Sequence, residues 1–313
     1  MGIIEAVGLG ALQGLTEFLP ISSSGHLSLI QYFLGLEDTP RFFDVMLHVG
    51  TLLAVVIYYR SSLWIRPKDL LRLGTSGREN IDPPKTVPGR PGALFYPSPW
   101  RILIFLMLAT VPAVIAAGIF RPTKLEPGES LATARSSWRN KVGDLREYSS
   151  QKPWVVLGFL TCTGFVLLAG ARATGGHVDS QTMRWWHAFG VGIAQGVSAI
   201  CPGLSRSGMT VSTGMLLGLR GEWAVHFSLL MSIPAILGAV VLKSRDLDTT
   251  WLTSENLWAT FAGTVTSAIV GWFCISLLLR SVRRGRWWWF TIYVWSLVVV
   301  VSLVLSFTKF HAS

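Results

Sequence analysis

The sequence predicts an all-α, polytopic membrane protein. It has two inverted-topology repeats, each a re-entrant helix pair followed by three transmembrane helices. Three observations predict this. Charged residues make up 14% of the 313-residue chain and hydrophobic residues 50%, with a mean hydropathy of +0.48; an ordinary soluble domain carries about 25% charge. Several apolar runs are long enough to cross a bilayer. A polar stretch near the start returns, altered, in the second half of the chain.

The first element is a broken segment over about residues 3–34. At its centre lies Gln13-Gly-Leu-Thr-Glu17-Phe-Leu-Pro20-Ile-Ser22-Ser23-Ser24-Gly25-His26. A carboxylate, three serine hydroxyls and an imidazole stand here inside apolar sequence. Pro20 and Gly25 interrupt the run, which argues against one straight helix. Ionisable groups at membrane depth are costly and mark function by default. The bland alternative is a serine-capped helix-turn-helix with Glu17 at a wet surface.

Spanning helices follow at about 42–59, 102–120 and 154–171. A second broken segment covers about 186–218, and spanning helices at 224–242, 257–279 and 287–307 complete the chain. The whole of 1–313 reads as one integral membrane domain, with a first repeat at 1–172 and a second at 184–313. Gly10, Gln13, Gly14 and Pro20 recur as Gly192, Gln195, Gly196 and Pro202. After the proline, one extra residue brings Ser22, Ser24 and Gly25 onto Ser205, Ser207 and Gly208. Glu17, Ser23 and His26 are replaced by Ala199, Arg206 and Met209, so the shared scaffold carries different chemistry in each copy. Three spanning helices is an odd number. Broken segments that re-enter and leave on their own side therefore face each other from opposite sides of the membrane, with their tips near the midplane.

The connections carry the charge. The 280–286 loop holds Arg280, Arg283, Arg284 and Arg286 without an acid, and the 60–101 loop is also net basic; both are expected on the cytoplasmic side, with the termini outside. Residues 74–99 are a Pro/Gly-rich insert. Residues 121–152 form a second, polar insert, with a short amphipathic helix around Ala132–Tyr148. The net charge of +10 lies between apolar segments, which suits anionic lipid rather than nucleic acid. The 14 tryptophans, among them Trp185-Trp186 and Trp287-Trp288-Trp289, fit interfacial belts. Cys162, Cys201 and Cys274 lack metal-type spacing and read as packing residues. Met1-Gly-Ile-Ile-Glu5 has no basic start, so no cleaved signal peptide is expected.

Arg206 sits in Pro202-Gly-Leu-Ser205-Arg206-Ser207-Gly208-Met-Thr210. A guanidinium flanked by hydroxyls and glycines suits a phosphate, with donors from Arg206, Ser205, Ser207 and Thr210. A helix restarting after Gly208 would aim its N-terminal amides at the same anion. The competing reading is an arginine snorkelling to an interface. Glu17 can act as a base or hold a metal with substrate phosphates. His26 can act as acid/base or as nucleophile, and Ser23 is a candidate nucleophile with His26 about one turn away. For Ser22 and Ser24 the favoured role is to satisfy backbone groups freed by the break. His48 and His226 are expected to make interhelical hydrogen bonds, His187 to be interfacial and His311 to lie in the tail.

The patterns Gln13-x-x-x-Glu17, Pro20-x-Ser-Ser-Ser-Gly-His26 and Pro202-Gly-x-Ser-Arg-Ser-Gly-x-Thr210 together resemble the BacA/UppP family of undecaprenyl-diphosphate phosphatases. The resemblance covers almost the whole chain outside the two inserts. It implies removal of the terminal phosphate of undecaprenyl diphosphate, which returns the monophosphate carrier to cell-wall synthesis and gives bacitracin resistance. Residue by residue, it implies catalytic roles for Glu17, Ser23, His26 and Arg206. Substrate contacts would come from Gln13, Ser22, Ser24, Gly203, Ser205, Ser207 and Thr210. The family takes Glu or Gln at the first position of its first motif, so Gln13 fits and Glu17 alone supplies a carboxylate there. The resemblance further implies a divalent cation, Mg2+ or Ca2+, for which Glu17 is the candidate protein contact, acting together with the substrate phosphates. It also implies a multi-pass location in a bacterial inner membrane with the site opening to the periplasmic side. Expected partners are the polyprenyl diphosphate lipid and membrane lipids, with no nucleic acid; a homodimer is left open beside a monomer. A polyprenyl-phosphate transporter or flippase is the rival reading, because inverted repeats and broken helices are also transporter architecture.

Overall fold

The computed structural model describes residues 2–35, 41–60, 99–119, 152–173, 175–201, 203–243 and 253–312. Among these, ten helices form: α1 Ile3–Phe18, α2 Ser23–Leu34, α3 Arg41–Tyr58, α4 Pro99–Ile119, α5 Pro153–Arg172, α6 Trp185–Ile200, α7 Arg206–Leu216, α8 Gly221–Lys243, α9 Ser254–Arg283 and α10 Trp288–Ala312. No strand forms among the described residues beyond an isolated bridge, Val178 to Leu219. Apart from Pro99 and Lys152 at their edges, the inserts at 74–99 and 121–152 lie outside the described residues, as does the amphipathic helix expected around Ala132–Tyr148.

Among the described residues, four helices are long and apolar enough to cross a membrane: Pro153–Arg172, Gly221–Val241, Ser254–Arg283 and Trp288–Phe307. Phe42–Tyr58 and Trp100–Ala116 are the apolar stretches of α3 (18 residues) and α4 (21 residues), close to the roughly 20 residues that a 30 Å hydrocarbon core asks for. Only 22% of the Trp288–Phe307 window is buried, so most of its apolar surface has no protein cover. Val299, Leu303 and Phe307 on α10 and Trp258, Phe261 and Phe273 on α9 point outward, a pattern that lipid solvates and water does not. The protein is a membrane protein on this evidence.

Local signals explain the helix ends. Pro153 opens α5, where its missing N–H costs nothing. The Thr253 hydroxyl accepts the Asn256 N–H at the start of α9, and Arg280 and Arg283 fall in its last turn, where the helix dipole favours cations. Arg283 also pairs with Glu222 at 3.2 Å, tying the basic turn to the start of α8.

Helices pack across the two halves of the chain. The first member of each broken pair lies on the long helix of the other half: α1 on α9, and α6 on α4. Glycines make these approaches possible. A Cβ on Gly10 would stand 2.2 Å from the Gly263 carbonyl oxygen, and one on Gly192 would stand 2.5 Å from that of Ala109. α3 packs on α8 and α9, while α5 packs on α2, α7 and α10. The main core joins Phe18, Leu160, Leu167, Phe227 and Leu230, directly beneath the two helix breaks. The segment between the halves is fixed as well: Arg101 donates to the carbonyls of Gln181 and Met183, and Arg220 N–H donates to Val178 O at 2.8 Å.

Candidate active site

The two breaks are built alike. In the first, α1 ends at Phe18 and α2 starts at Ser23, with Ser22 as N-cap; its hydroxyl accepts the Gly25 N–H at 3.2 Å. In the second, Ser205 caps α7 and accepts the Gly208 N–H at 3.1 Å. Helix α7 therefore restarts at Arg206, two residues before the glycine at which the sequence suggested it. Ser22 has φ 72, the one non-glycine positive φ among the described residues, and backbone strain of this kind collects at working sites. Gly203, at φ 100, serves the other break, and a Cβ there would meet Val156 O at 2.9 Å.

Cross-links hold the breaks together. The Ser207 hydroxyl donates to Leu19 O at 3.0 Å, and Gly203 N–H donates to the Ser24 hydroxyl at 3.4 Å. The Thr163 hydroxyl on α5 accepts Ser205 N–H at 3.1 Å and donates to Gly203 O at 3.3 Å. Thr210 donates to the Arg206 carbonyl at 2.8 Å and lies 2.7 Å from the Ser228 hydroxyl. Ser22, Ser24 and Ser205 thus build the breaks as acceptors, whereas Ser207 and Thr210 donate to carbonyls and would have to give up those bonds to donate to a phosphate.

The construction delivers one constellation. Ser23 and Arg206 are the first residues of α2 and α7, occupy equivalent repeat positions, and both reach Glu17. Glu17 lies in the last turn of α1 and is 6% exposed. The Ser23 hydroxyl donates to its Oε2 at 2.6 Å and Gln13 Nε2 donates to the same oxygen at 2.9 Å. Arg206 Nη2 donates to Oε1. Two serine-capped helix N-termini, each the positive end of its helix dipole, converge on this point.

His26 is buried but turned elsewhere. Its Nδ1 donates to Ser22 O at 2.8 Å, and the Tyr293 hydroxyl lies 2.9 Å from Nε2 with the rings stacked at 5.8 Å. The one-turn spacing places His26 near Ser23, yet Ser23 bonds to Glu17, because the His26 ring is drawn back to the Ser22 carbonyl. Two residues at the site were not singled out for it from sequence. His48 brings Nε2 to 3.7 Å from Glu17 Oε2, where an interhelical hydrogen bond was the expectation. Tyr293 reaches His26 across 267 positions. Asp44 and His48, one turn apart in an apolar helix, are a weak sequence signal for the first; nothing local marks Tyr293.

The donor set can be weighed against a divalent cation. Gln13 is fully buried, and its Oε1 has no partner although its amide nitrogen bonds Glu17, so a neutral oxygen waits beside a carboxylate. That fits a hard cation. No group of three or more His, Cys, Asp or Glu gathers among the described residues, so substrate oxygens or water must complete any such shell.

An apolar helical bundle with a buried carboxylate, a guanidinium and a hydroxyl brought together at two helix N-termini defines an integral membrane protein with a polar constellation inside its bundle. The chain belongs to the family of the bacitracin resistance protein BacA, whose model matches residues 6–300. It is 35% identical to an undecaprenyl-diphosphatase of Rubrobacter xylanophilus over 97% of this chain and 98% of that one. Identity is 32% to an undecaprenyl-diphosphatase of Carboxydothermus hydrogenoformans, over 99% of this chain and 100% of that one. A third undecaprenyl-diphosphatase, of Methanobrevibacter smithii, is 34% identical over 97% and 98%.

Proposed function

We propose that the protein hydrolyses undecaprenyl diphosphate to undecaprenyl phosphate and inorganic phosphate, recycling the lipid carrier for peptidoglycan synthesis and conferring bacitracin resistance. Full-length relatives bearing that activity in their names support it. The observation that carries the chemistry is the Ser23–Glu17–Arg206 constellation.

The Ser23–Glu17 hydrogen bond supports a course with Ser23 as nucleophile. As the terminal phosphate enters, Arg206 turns from Glu17 Oε1 to the phosphate oxygens, where its fork offsets developing charge. The Ser23 oxygen attacks the terminal phosphorus in line, its proton passes to Glu17 Oε2 at 2.6 Å, and the bond to the bridging oxygen breaks. Undecaprenyl phosphate leaves with that oxygen. Water then attacks the phosphoserine, releasing phosphate and restoring the Ser23 hydroxyl. His26, coupled to the Tyr293 hydroxyl, handles protons of this second step. A divalent cation, Mg2+ or Ca2+, would be held by Glu17 and Gln13 Oε1 and would neutralise phosphate charge. Gly203, Ser205, Ser207 and Thr210 line the approach of the head group. For the tail, a groove of about 560 Å3 runs beside α1 and α2, lined by Ile4, Leu12, Leu15, Ile30, Leu34 and Val270.

The same reading includes the finer topology. Each half is a re-entrant pair with three spanning helices, Phe42–Tyr58 and Trp100–Ala116 completing the set. The halves are inverted, which the reciprocal packing of α1 on α9 and α6 on α4 supports. The arginine-rich 280–286 turn lies in the cytoplasm of a bacterial cell, and the site opens to the periplasmic side of its inner membrane.

The test is phosphate release from farnesyl or undecaprenyl diphosphate by purified protein in detergent, with lipid binding measured in parallel. Wild type turns over. Ser23→Ala binds lipid and releases no phosphate. A wild type that binds the lipid and releases nothing at any pH or metal concentration is a transporter instead.

A further inference from the structure

His48 stands against the catalytic carboxylate in a fixed state. Its Nδ1 lies 2.7 Å from the backbone carbonyl of Asp44. A carbonyl only accepts, so Nδ1 carries the proton. In the neutral ring, Nε2 then presents a lone pair, and that nitrogen is 3.7 Å from Glu17 Oε2. An imidazole with one nitrogen anchored to a backbone carbonyl and the other free is the arrangement of a metal-ligating histidine. The Thr51 hydroxyl donates to the His48 carbonyl at 2.8 Å, so the backbone behind the ring is tied as well.

A second observation points to a ligand. Gln13 is fully buried, its Oε1 is unpartnered, and its amide already touches Glu17 Oε2. A half-turn of that amide exchanges the N–H donor for the free oxygen. Gln13 Oε1 and His48 Nε2 then both neighbour Glu17 Oε2, while Arg206 stays on the other oxygen, Oε1. Ligands about 2.0–2.2 Å from an ion lie roughly 3.0–3.4 Å from one another. Closing the present 3.7 Å takes a few tenths of an ångström.

We propose that His48 is a further protein ligand of the divalent cation at Glu17, and that its nitrogen lets the site take borderline first-row ions such as Zn2+, Ni2+ or Co2+ beside the Mg2+ or Ca2+ that its oxygens suit. Hard cations take oxygen shells, whereas imidazole favours the later first-row metals. This rests on the phosphatase reading of Glu17, and it adds a nitrogen ligand to the oxygen set proposed there.

The probe is Co2+ alone, titrated into chelator-treated full-length protein in detergent and followed by its visible absorption, with Mg2+ as competitor. Wild type is expected to bind one Co2+ that excess Mg2+ displaces poorly. His48→Ala weakens Co2+ binding at least tenfold, and so does Glu17→Gln. His48→Gln keeps a polar side chain of similar reach if the alanine variant fails to fold; it should lose the preference for Co2+ over Mg2+ by a similar factor. His177→Ala, an exposed histidine, leaves binding unchanged. Equal Co2+ affinity in wild type and both folded His48 variants overturns the proposal, as does a wild type that binds no Co2+. Phosphate release is read on the same samples with Mg2+ present. Turnover without His48-dependent Co2+ binding sinks this inference alone; His48-dependent binding without turnover under any metal sinks the phosphatase reading alone.

Discussion

Glu17→Gln tests the centre of the mechanism, because the structure separates its geometric cost from its chemical one. The carboxylate accepts from Ser23 at 2.6 Å, from Gln13 at 2.9 Å and from Arg206 on the other oxygen. A glutamine with its oxygen toward Arg206 keeps that contact and turns an NH2 toward Ser23 and Gln13. Both neighbours can adjust: the Ser23 hydroxyl can accept as readily as donate, and Gln13 can offer the oxygen that has no partner now. The fold is therefore expected to survive with little loss of stability. What disappears is the acceptor for the Ser23 proton. Removing a positioned general base costs about 10²- to 10⁴-fold in rate, or roughly 2.7–5.4 kcal/mol of activation free energy at 1.36 kcal/mol per decade. The assay is single-turnover phosphate release from undecaprenyl diphosphate in proteoliposomes, with lipid affinity measured separately. Expected is a fall of at least a hundredfold in the chemical step, with affinity changed less than tenfold. A variant that retains more than a tenth of wild-type turnover would refute the assignment of Glu17 as the base.

Other predictions use different parts of the structure. Arg206→Ala is expected to lower turnover on the order of a hundredfold or more and to weaken lipid diphosphate binding. Arg206→Lys should recover little, because a point charge does not reproduce the fork; activity near wild type in the lysine variant would contradict bidentate phosphate contact. Gly10→Ala places a Cβ 2.2 Å from Gly263 O and should destabilise by roughly 1–3 kcal/mol. Gly8→Ala meets nothing within 4 Å and should be neutral or slightly stabilising, so thermal unfolding in detergent should separate the two. Gln195 is 2% exposed, and neither end of its amide has a partner. Gln195→Met removes a desolvation penalty of about 1–3 kcal/mol and should raise the unfolding temperature; a lowered one would mean that the amide is used.

How much of this was legible in the sequence depends on the range of the signal. The helices lie within a few residues of where apolar runs place them, since bilayer thickness and chain composition decide them locally. The breaks at Pro20 and around Pro202 were also readable, and so was the exchange of Ser23 for Arg206 between copies. The roles of individual hydroxyls were not. A serine beside a break can cap a helix or face a ligand, and only the folded backbone chooses; Ser205 takes the cap and Ser207 the Leu19 carbonyl. His48 was ambiguous for a rotational reason. A helix apolar nearly all round, such as α3, does not announce which face meets α1. Tyr293 depends on how α10 packs against the first break, and no spacing rule spans that distance.

The repeat also explains why the site is single when the scaffold is double. Ser23 and Arg206 begin equivalent helices, and the same capping bonds, Ser22 to Gly25 and Ser205 to Gly208, aim both at one point. A carboxylate in both copies would bring two like charges toward one guanidinium in a poorly solvated interior, where like charges suppress each other's ionisation. Ala199, in the place of Glu17, removes that conflict and leaves one acid facing one fixed cation. Gln195 still stands where Gln13 stands, but the acid it would serve is gone, and its amide is buried without a partner. The unsatisfied glutamine is the structural trace of a symmetric frame in which one copy supplies the acid and the other the cation that meets it.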